Sequence, residues 1–181
     1  RKLKKIISIL GAAVLTIGLL AGCSSKGNGE YESGKLKDVH EAVKTAMGEE
    51  YYPNMPLGEE EIEEIMGISK DMYSEIIVEV PMISMNPDTF IGAEAAKGKG
   101  DALEEALNKY KDYLANESFQ YPMNMPKVQA VEVVRKGDYA FLIMLGQVPQ
   151  DLMESEDEDA KVAAVKEGNK KAVDAINSIL K

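Results

Sequence analysis

The chain carries one histidine and one cysteine in 181 residues, and that scarcity limits its chemistry. A Ser-His-Asp or Cys-His site needs an imidazole as base, and His40 is the sole candidate. It follows Val39 at the edge of an apolar helical stripe, which marks a surface or boundary histidine rather than a base. A zinc site built from His and Cys is excluded by count. Carboxylates are abundant: Glu75, Glu79 and Glu94 fall on predicted strands, where two of them could serve a hydrolase as acid and base. The expectation is that they mark the wet face of a sheet. Glu154, Glu156, Asp157, Glu158 and Asp159 form an acidic run. It has oxygen ligands for calcium but lacks the turn glycine of a calcium loop, so it reads as charge complementing a helix start. Met82 with Met85, and Met123 with Met125, offer thioethers to Cu(I), yet methionine is also a common gap-filler. No catalytic residue, metal ligand or cofactor is assigned from these groups.

Binding has a better candidate. Tyr52-Pro53-Asn54-Met55-Pro56 and Tyr121-Pro122-Met123-Asn124-Met125-Pro126 share composition, and each follows a predicted helix. Proline-stiffened loops lose little entropy on binding, and tyrosine favours interfaces. Tyr51, Tyr52, Met55, Tyr121, Met123 and Met125 are the candidate interaction patch, on the expectation that the two loops lie near each other. The competing reading is that these aromatics close the ends of the core.

The elements that must position these loops follow from periodicity. Val39, Val43 and Ala46/Met47 make a helical stripe, with Asp38 and Glu41 as its capping box and Gly48 as its stop. Glu59 to Met66 is a second short helix, acidic in its first turn and ended by Gly67. Tyr73 to Ser84 alternates as a strand, Asn86-Pro87-Asp88 turns, and Thr89 to Lys97 returns. Leu103, Leu107, Tyr110 and Leu114 lie on one face of a helix capped by Asp101 and Glu104. Lys127 to Arg135 and Tyr139 to Gly146 make a second hairpin around Lys136-Gly137-Asp138. Tyr139 to Leu145 is apolar throughout, so both of its faces should be covered. Ser155 and Glu158 open a terminal helix with a stripe at Val162, Val165, Ala172, Ile176 and Ile179. The fold expected is α+β: a four-stranded antiparallel sheet from two hairpins (ββαββ), with helices packed on one face, plus N- and C-terminal helices.

The N-terminus speaks to location. Arg1, Lys2, Lys4 and Lys5 precede an uncharged run from Ile6 to Leu20, shorter than the roughly 20 residues of a spanning helix. Small residues follow, the parts of a secretory signal. Leu20-Ala21-Gly22-Cys23 resembles a lipobox, which implies diacylglycerol on the Cys23 thiol and cleavage before it. Residues 1–22 are then a signal, 23–35 a Ser- and Gly-rich flexible tether, and 36–181 a single domain. Removing the four basic residues of the signal leaves 17 basic against 31 acidic groups, a charge of −14. Such a chain is not drawn to nucleic acid, and an anionic membrane repels it. Cys23 is the only cysteine, so no internal disulfide can form and the fold rests on its core.

Over residues 36–181 the chain resembles the small lipoproteins of Gram-positive anaerobes grouped as domain-of-unknown-function family 4358. The resemblance rests on the tethered first helix, Val80-Pro81-Met82-Ile83-Ser84, the helix Asp101 to Leu114, Tyr121-Pro122, and the hairpin from Val131 to Tyr139. It implies a lipid-anchored domain on the outer face of the cell membrane and carries no catalytic residues to transfer. The function expected is a non-catalytic interaction or accessory module, held by its lipid and meeting an envelope protein. The alternatives are a small-ligand or metal-binding lipoprotein and, third, a carboxylate-based hydrolase.

Overall fold

Thr89–Ala95 and Tyr139–Met144 are apolar at nearly every position, and every residue of both is buried. A strand of that kind needs cover on both faces, and it receives it. The computed structural model describes residues 31–181. The predicted signal, Cys23 and tether residues 24–30 lie outside the described residues.

The strands are β1 (Met55–Pro56), β2 (Tyr73–Val80), β3 (Thr89–Ala95), β4 (Glu132–Lys136) and β5 (Tyr139–Met144). They form one antiparallel sheet in the order β1-β2-β3-β5-β4. The helices are α1 (Leu36–Met47), α2 (Glu59–Met66), α3 (Gly100–Asn116), α4 (Met125–Gln129) and α5 (Glu158–Ile179). Ile62 and Met66 of α2, with Leu103, Leu107 and Tyr110 of α3, pack on Val78, Ile91 and Leu142. On the opposite face, Val39 and Val43 of α1 and Ala172 and Ile176 of α5 pack on Phe90, Phe141 and Ile143. No helix among the described residues is long and apolar enough to cross a membrane.

The α+β class holds, with two corrections. The sheet has five strands, not four, because Met55-Pro56 of the first Tyr-Pro loop joins the edge. Asn54 N–H donates to the Val80 carbonyl at 3.1 Å and Leu57 N–H to Val78 at 3.0 Å. A proline is tolerated there because an edge strand leaves one side without ladder bonds. The helices also cover both faces rather than one. The reason is alternation in β3 and β5: Phe90 and Phe141 feed one core while Ile91 and Leu142 feed the other.

Helix starts differ from the capping boxes expected. α1 begins at Leu36, so Asp38 sits inside its first turn. α3 begins at Gly100, which places Asp101 likewise. At α5 the cap is Asp157, whose carboxylate accepts the Ala160 N–H at 3.0 Å. α2 keeps its expected bounds, ended by Gly67 at φ +69°, a conformation glycine adopts without strain. Lys127 to Gln129, expected as strand, belong to α4, where Pro126 stands in the first turn.

The last residues of the expected tether are docked. Glu94 accepts from the Ser33 hydroxyl at 2.5 Å and the Gly34 N–H at 2.9 Å. The Tyr139 hydroxyl accepts from Lys35 N–H and donates to the Glu32 carbonyl. The ordered fold therefore begins upstream of Leu36. Glu94→Ala removes this clamp. Hydrogen bonds to charged groups contribute about 1.5–3 kcal/mol, so Gly34 amide exchange should quicken about tenfold or more while global stability changes little. Unaltered exchange at Gly34 would show that the clamp does not hold the segment.

Candidate functional site

The end of the sheet formed by the β2–β3 connection carries the exposed apolar groups. Pro81 ends β2, since a proline cannot donate to the ladder, and residues 81–88 then run as a loop. Met82 and Ile83 are 73% and 70% exposed, and Met85 51%. Residues 82–84, expected as the end of the strand, are instead exposed loop. Phe119 is 86% exposed and packs edge-on against Tyr121.

Three depressions lie around this loop. The first, about 420 Å³, is bounded by α2 through Glu61 and Ile65, by Met55, and by Phe119 and Tyr121. The second, about 300 Å³, takes in Tyr52, Ile83 and Met85. The third, about 310 Å³, takes in Met123, Val148, Met153 and the start of α5. Neighbours share walls: Pro81, Met82 and Asn86 border the first two, and Asn124 borders all three.

The two Tyr-Pro loops thus both meet the β2–β3 loop, and the repeated asparagine explains how. Asn54 Oδ1 accepts the Met82 N–H at 3.0 Å, and Asn124 Nδ2 donates to the Met85 carbonyl at 2.9 Å. Each loop uses its asparagine to grip the backbone of the same connection. Of the six patch residues named from sequence, Met55 and Tyr121 border the first depression, Tyr52 the second and Met123 the third. Met125 is half-buried in α4 and borders none of the three. Tyr51 points to the α1/α5 face, where its hydroxyl donates to Glu79 at 2.7 Å.

Beneath the loop lies a buried polar ring that sequence reasoning missed. Asp88 is fully buried. Its Oδ1 meets Lys127 Nζ at 2.5 Å, and its Oδ2 accepts from Gln147 Nε2 at 2.7 Å. Lys127 also donates to Gln147 Oε1 at 2.6 Å, closing the ring. Burial pushes the Asp88 carboxyl up from its ordinary value, and the charge and hydrogen bond of Lys127 with that of Gln147 pull it part of the way back. The three residues lie 20 to 59 positions apart in sequence, so no local pattern announces them.

His40 is buried, not at a wet boundary. Its ring stacks on Phe90 at 5.0 Å, and Nε2 lies 3.1 Å from Glu79 and 3.0 Å from the Tyr51 hydroxyl. Burial first, then the hydrogen bond and charge of Glu79, hold the Tyr51 phenol well above its ordinary range, so it remains a donor. The expected wet face for Glu79 and Glu94 is covered: one carboxylate holds His40 and Tyr51, the other the entering chain. Glu75 pairs across the strands with Glu94. Glu61 and Asp88 do border one depression, as a two-carboxylate hydrolase would need. Both Asp88 oxygens are bonded and the side chain has no exposed surface, so it cannot touch a substrate. Among the described residues, no three His, Cys, Asp or Glu side chains gather as a metal ion would require.

No curated protein and no solved structure matches the chain. A family model does, over residues 44–145, more than half the chain and all five strands of the sheet together with the loop-bearing end. With that match, the protein belongs to the family described as Domain of unknown function (DUF4358).

Proposed function

We propose that this protein is a non-catalytic interaction module, anchored by lipid on Cys23 at the outer face of a membrane, whose contact surface is the β2–β3 end of the sheet. The observation that carries the reading is the clustering of Met82, Ile83, Met85, Phe119 and Met123, all more than half exposed, around one set of shared depressions. Exposed apolar groups scattered singly are ordinary, whereas a contiguous patch marks a contact site. Methionine rims suit such a role because the flexible thioether adapts to the surface it meets. The occupied state of His40 and of both Asp88 oxygens supports a module without catalysis.

Two experiments test it. Cys23→Ala should abolish incorporation of labelled fatty acid and leave the chain unprocessed; a mutant still labelled and membrane-bound overturns the anchor. Photo-crosslinkers at Met82 and at Met123 should capture a discrete envelope protein in intact cells, and one at Asn108 of α3 should not. Equal capture from all three positions, or none, overturns the contact surface.

A second reading, a small-ligand binder, is favoured by the first depression, whose volume of about 420 Å³ lies in the range of ligand pockets. A thermal-shift screen with peptides, sugars and metal ions separates the two, since a ligand at a hundred times its dissociation constant stabilises by about 2.7 kcal/mol.

A further inference from the structure

We infer that the three joined depressions hold an extended segment of a partner protein, with successive apolar side chains and a basic residue at the α2 end. The inference rests on the contact-surface reading above and names its occupant.

Shape comes first. Each depression shares wall residues with the next, from α2 across the β2–β3 loop to the start of α5. A compact molecule fills one hollow, whereas an extended chain can place a side chain in each. Edge strand β1 runs beside the first depression through Met55, the setting in which extended peptides lie along a sheet edge.

Charge selects the end. Five charged residues border the depressions: Glu61, Asp88, Lys127, Glu158 and Lys161. Asp88 pairs with Lys127, and Glu158 with Lys161. Glu61 alone among them has no cationic partner among the described residues. Glu60, Glu63 and Glu64 of the same helix likewise form no ion pair among the described residues. An acidic rim at the α2 end is complementary to lysine or arginine.

A lipid surface fits poorly. Docking on an anionic bilayer uses basic residues around a projecting apolar face, and this site is concave with an acidic rim. The chain also enters the fold at the opposite end of the sheet, where Glu94 and Tyr139 hold residues 32–35. From Glu94 to Thr89 along β3 is about 17 Å at strand rise. Residues 32–35 therefore join the fold at the end of β3 away from the depressions.

The test uses residues 23–181 with Cys23→Ser, which contain every element of both cores. A random dodecapeptide display library is selected on this protein, and enriched peptides are then measured individually. Enriched sequences should carry at least two spaced apolar residues and a lysine or arginine. Met82→Ser/Ile83→Ser should weaken them at least tenfold with the melting temperature unchanged, and Glu61→Gln, which keeps an oxygen for the Gly58 N–H, should weaken them severalfold in low salt. Enrichment of no peptide, enrichment of acidic peptides, or indifference to the double variant overturns the inference. Flotation of the protein with phosphatidylglycerol vesicles, lost in the double variant, also overturns it in favour of a lipid surface. These measurements need no anchor, so failure of Cys23 labelling in cells would sink the anchored-module reading alone. Crosslinks from Met82 in cells with no selected peptide would sink only this inference.

Discussion

Lys127→Met should destabilise the domain by about 3–5 kcal/mol at neutral pH, the penalty of a buried ion left without its partner. Asp88 has no exposed surface, and Lys127 is its only cationic partner among the described residues. Without Lys127 the carboxylate keeps only the neutral amides of Gln147 and Asn86, and its pKa, already raised by burial, climbs further. The pH dependence has a definite sign. A carboxyl whose folded pKa exceeds its unfolded one stabilises the fold while both states are protonated, and that contribution is lost as pH rises through the folded value. The variant's deficit should therefore be small near pH 4 and grow as pH rises towards neutrality. Urea unfolding at the two pH values measures it. A deficit of equal size at both would mean that the loss comes from packing rather than from the stranded carboxylate. Asp88→Asn in the Lys127→Met background should recover part of the stability, because a neutral amide costs less to bury than a charge.

The second large effect belongs to Asn169, also with no exposed surface. Its Oδ1 accepts the N–H groups of Leu145 and Gly146 at 2.9 and 2.7 Å, and its Nδ2 donates to the Ala130 carbonyl at 2.8 Å. One amide thus satisfies the backbone where β5 ends and where α4 hands over to β4. The approach is close: a Cβ on Gly146 would overlap the Val165 carbonyl oxygen of α5, so only glycine fits. Asn169→Leu keeps the branched outline of the side chain and strands three buried backbone groups, each costing about 1–3 kcal/mol. A loss of about 4 kcal/mol is expected, a fall in melting temperature on the order of 10 °C. A fall of only a degree or two would mean that water reaches these groups.

What could be read from sequence, and what could not, divides along the range of the interactions. β5 was legible because its own residues declare two-sided burial, and β3 because the Asn86-Pro87-Asp88 turn marks where it begins. The bounds of α2 were legible because acidic residues fill its first turn and Gly67 ends it. β1 was not, because a two-residue strand takes its bonds from Val78 and Val80 and has no period of its own. Lys127-Val128-Gln129-Ala130 alternates like a strand, yet Pro126 opens a helical turn that delivers the lysine to Asp88. Asn169 hides in the stripe of α5. The apolar positions Val165, Ala172 and Ile176 skip a turn, and the polar residue in that gap faces the core. The aromatic content of the Tyr-Pro loops pointed to the end of the sheet where Met82, Ile83 and Met85 are exposed. The loops' positions are set by the asparagines, which the same reading passed over.

The docked segment at Ser33 to Lys35 has a mechanical consequence. If the chain is held from its N-terminal side and pulled at the β2–β3 end, tension enters through these residues before it reaches any strand. Their few bonds, to Glu94 and Tyr139, load one after another, while the ladders of β2, β3 and β5 are loaded in parallel along their length. The clamp yields first and pays out the five residues from Tyr31 to Lys35, about 16 Å of slack. The sheet and the loop end it supports keep their shape while that length is taken up.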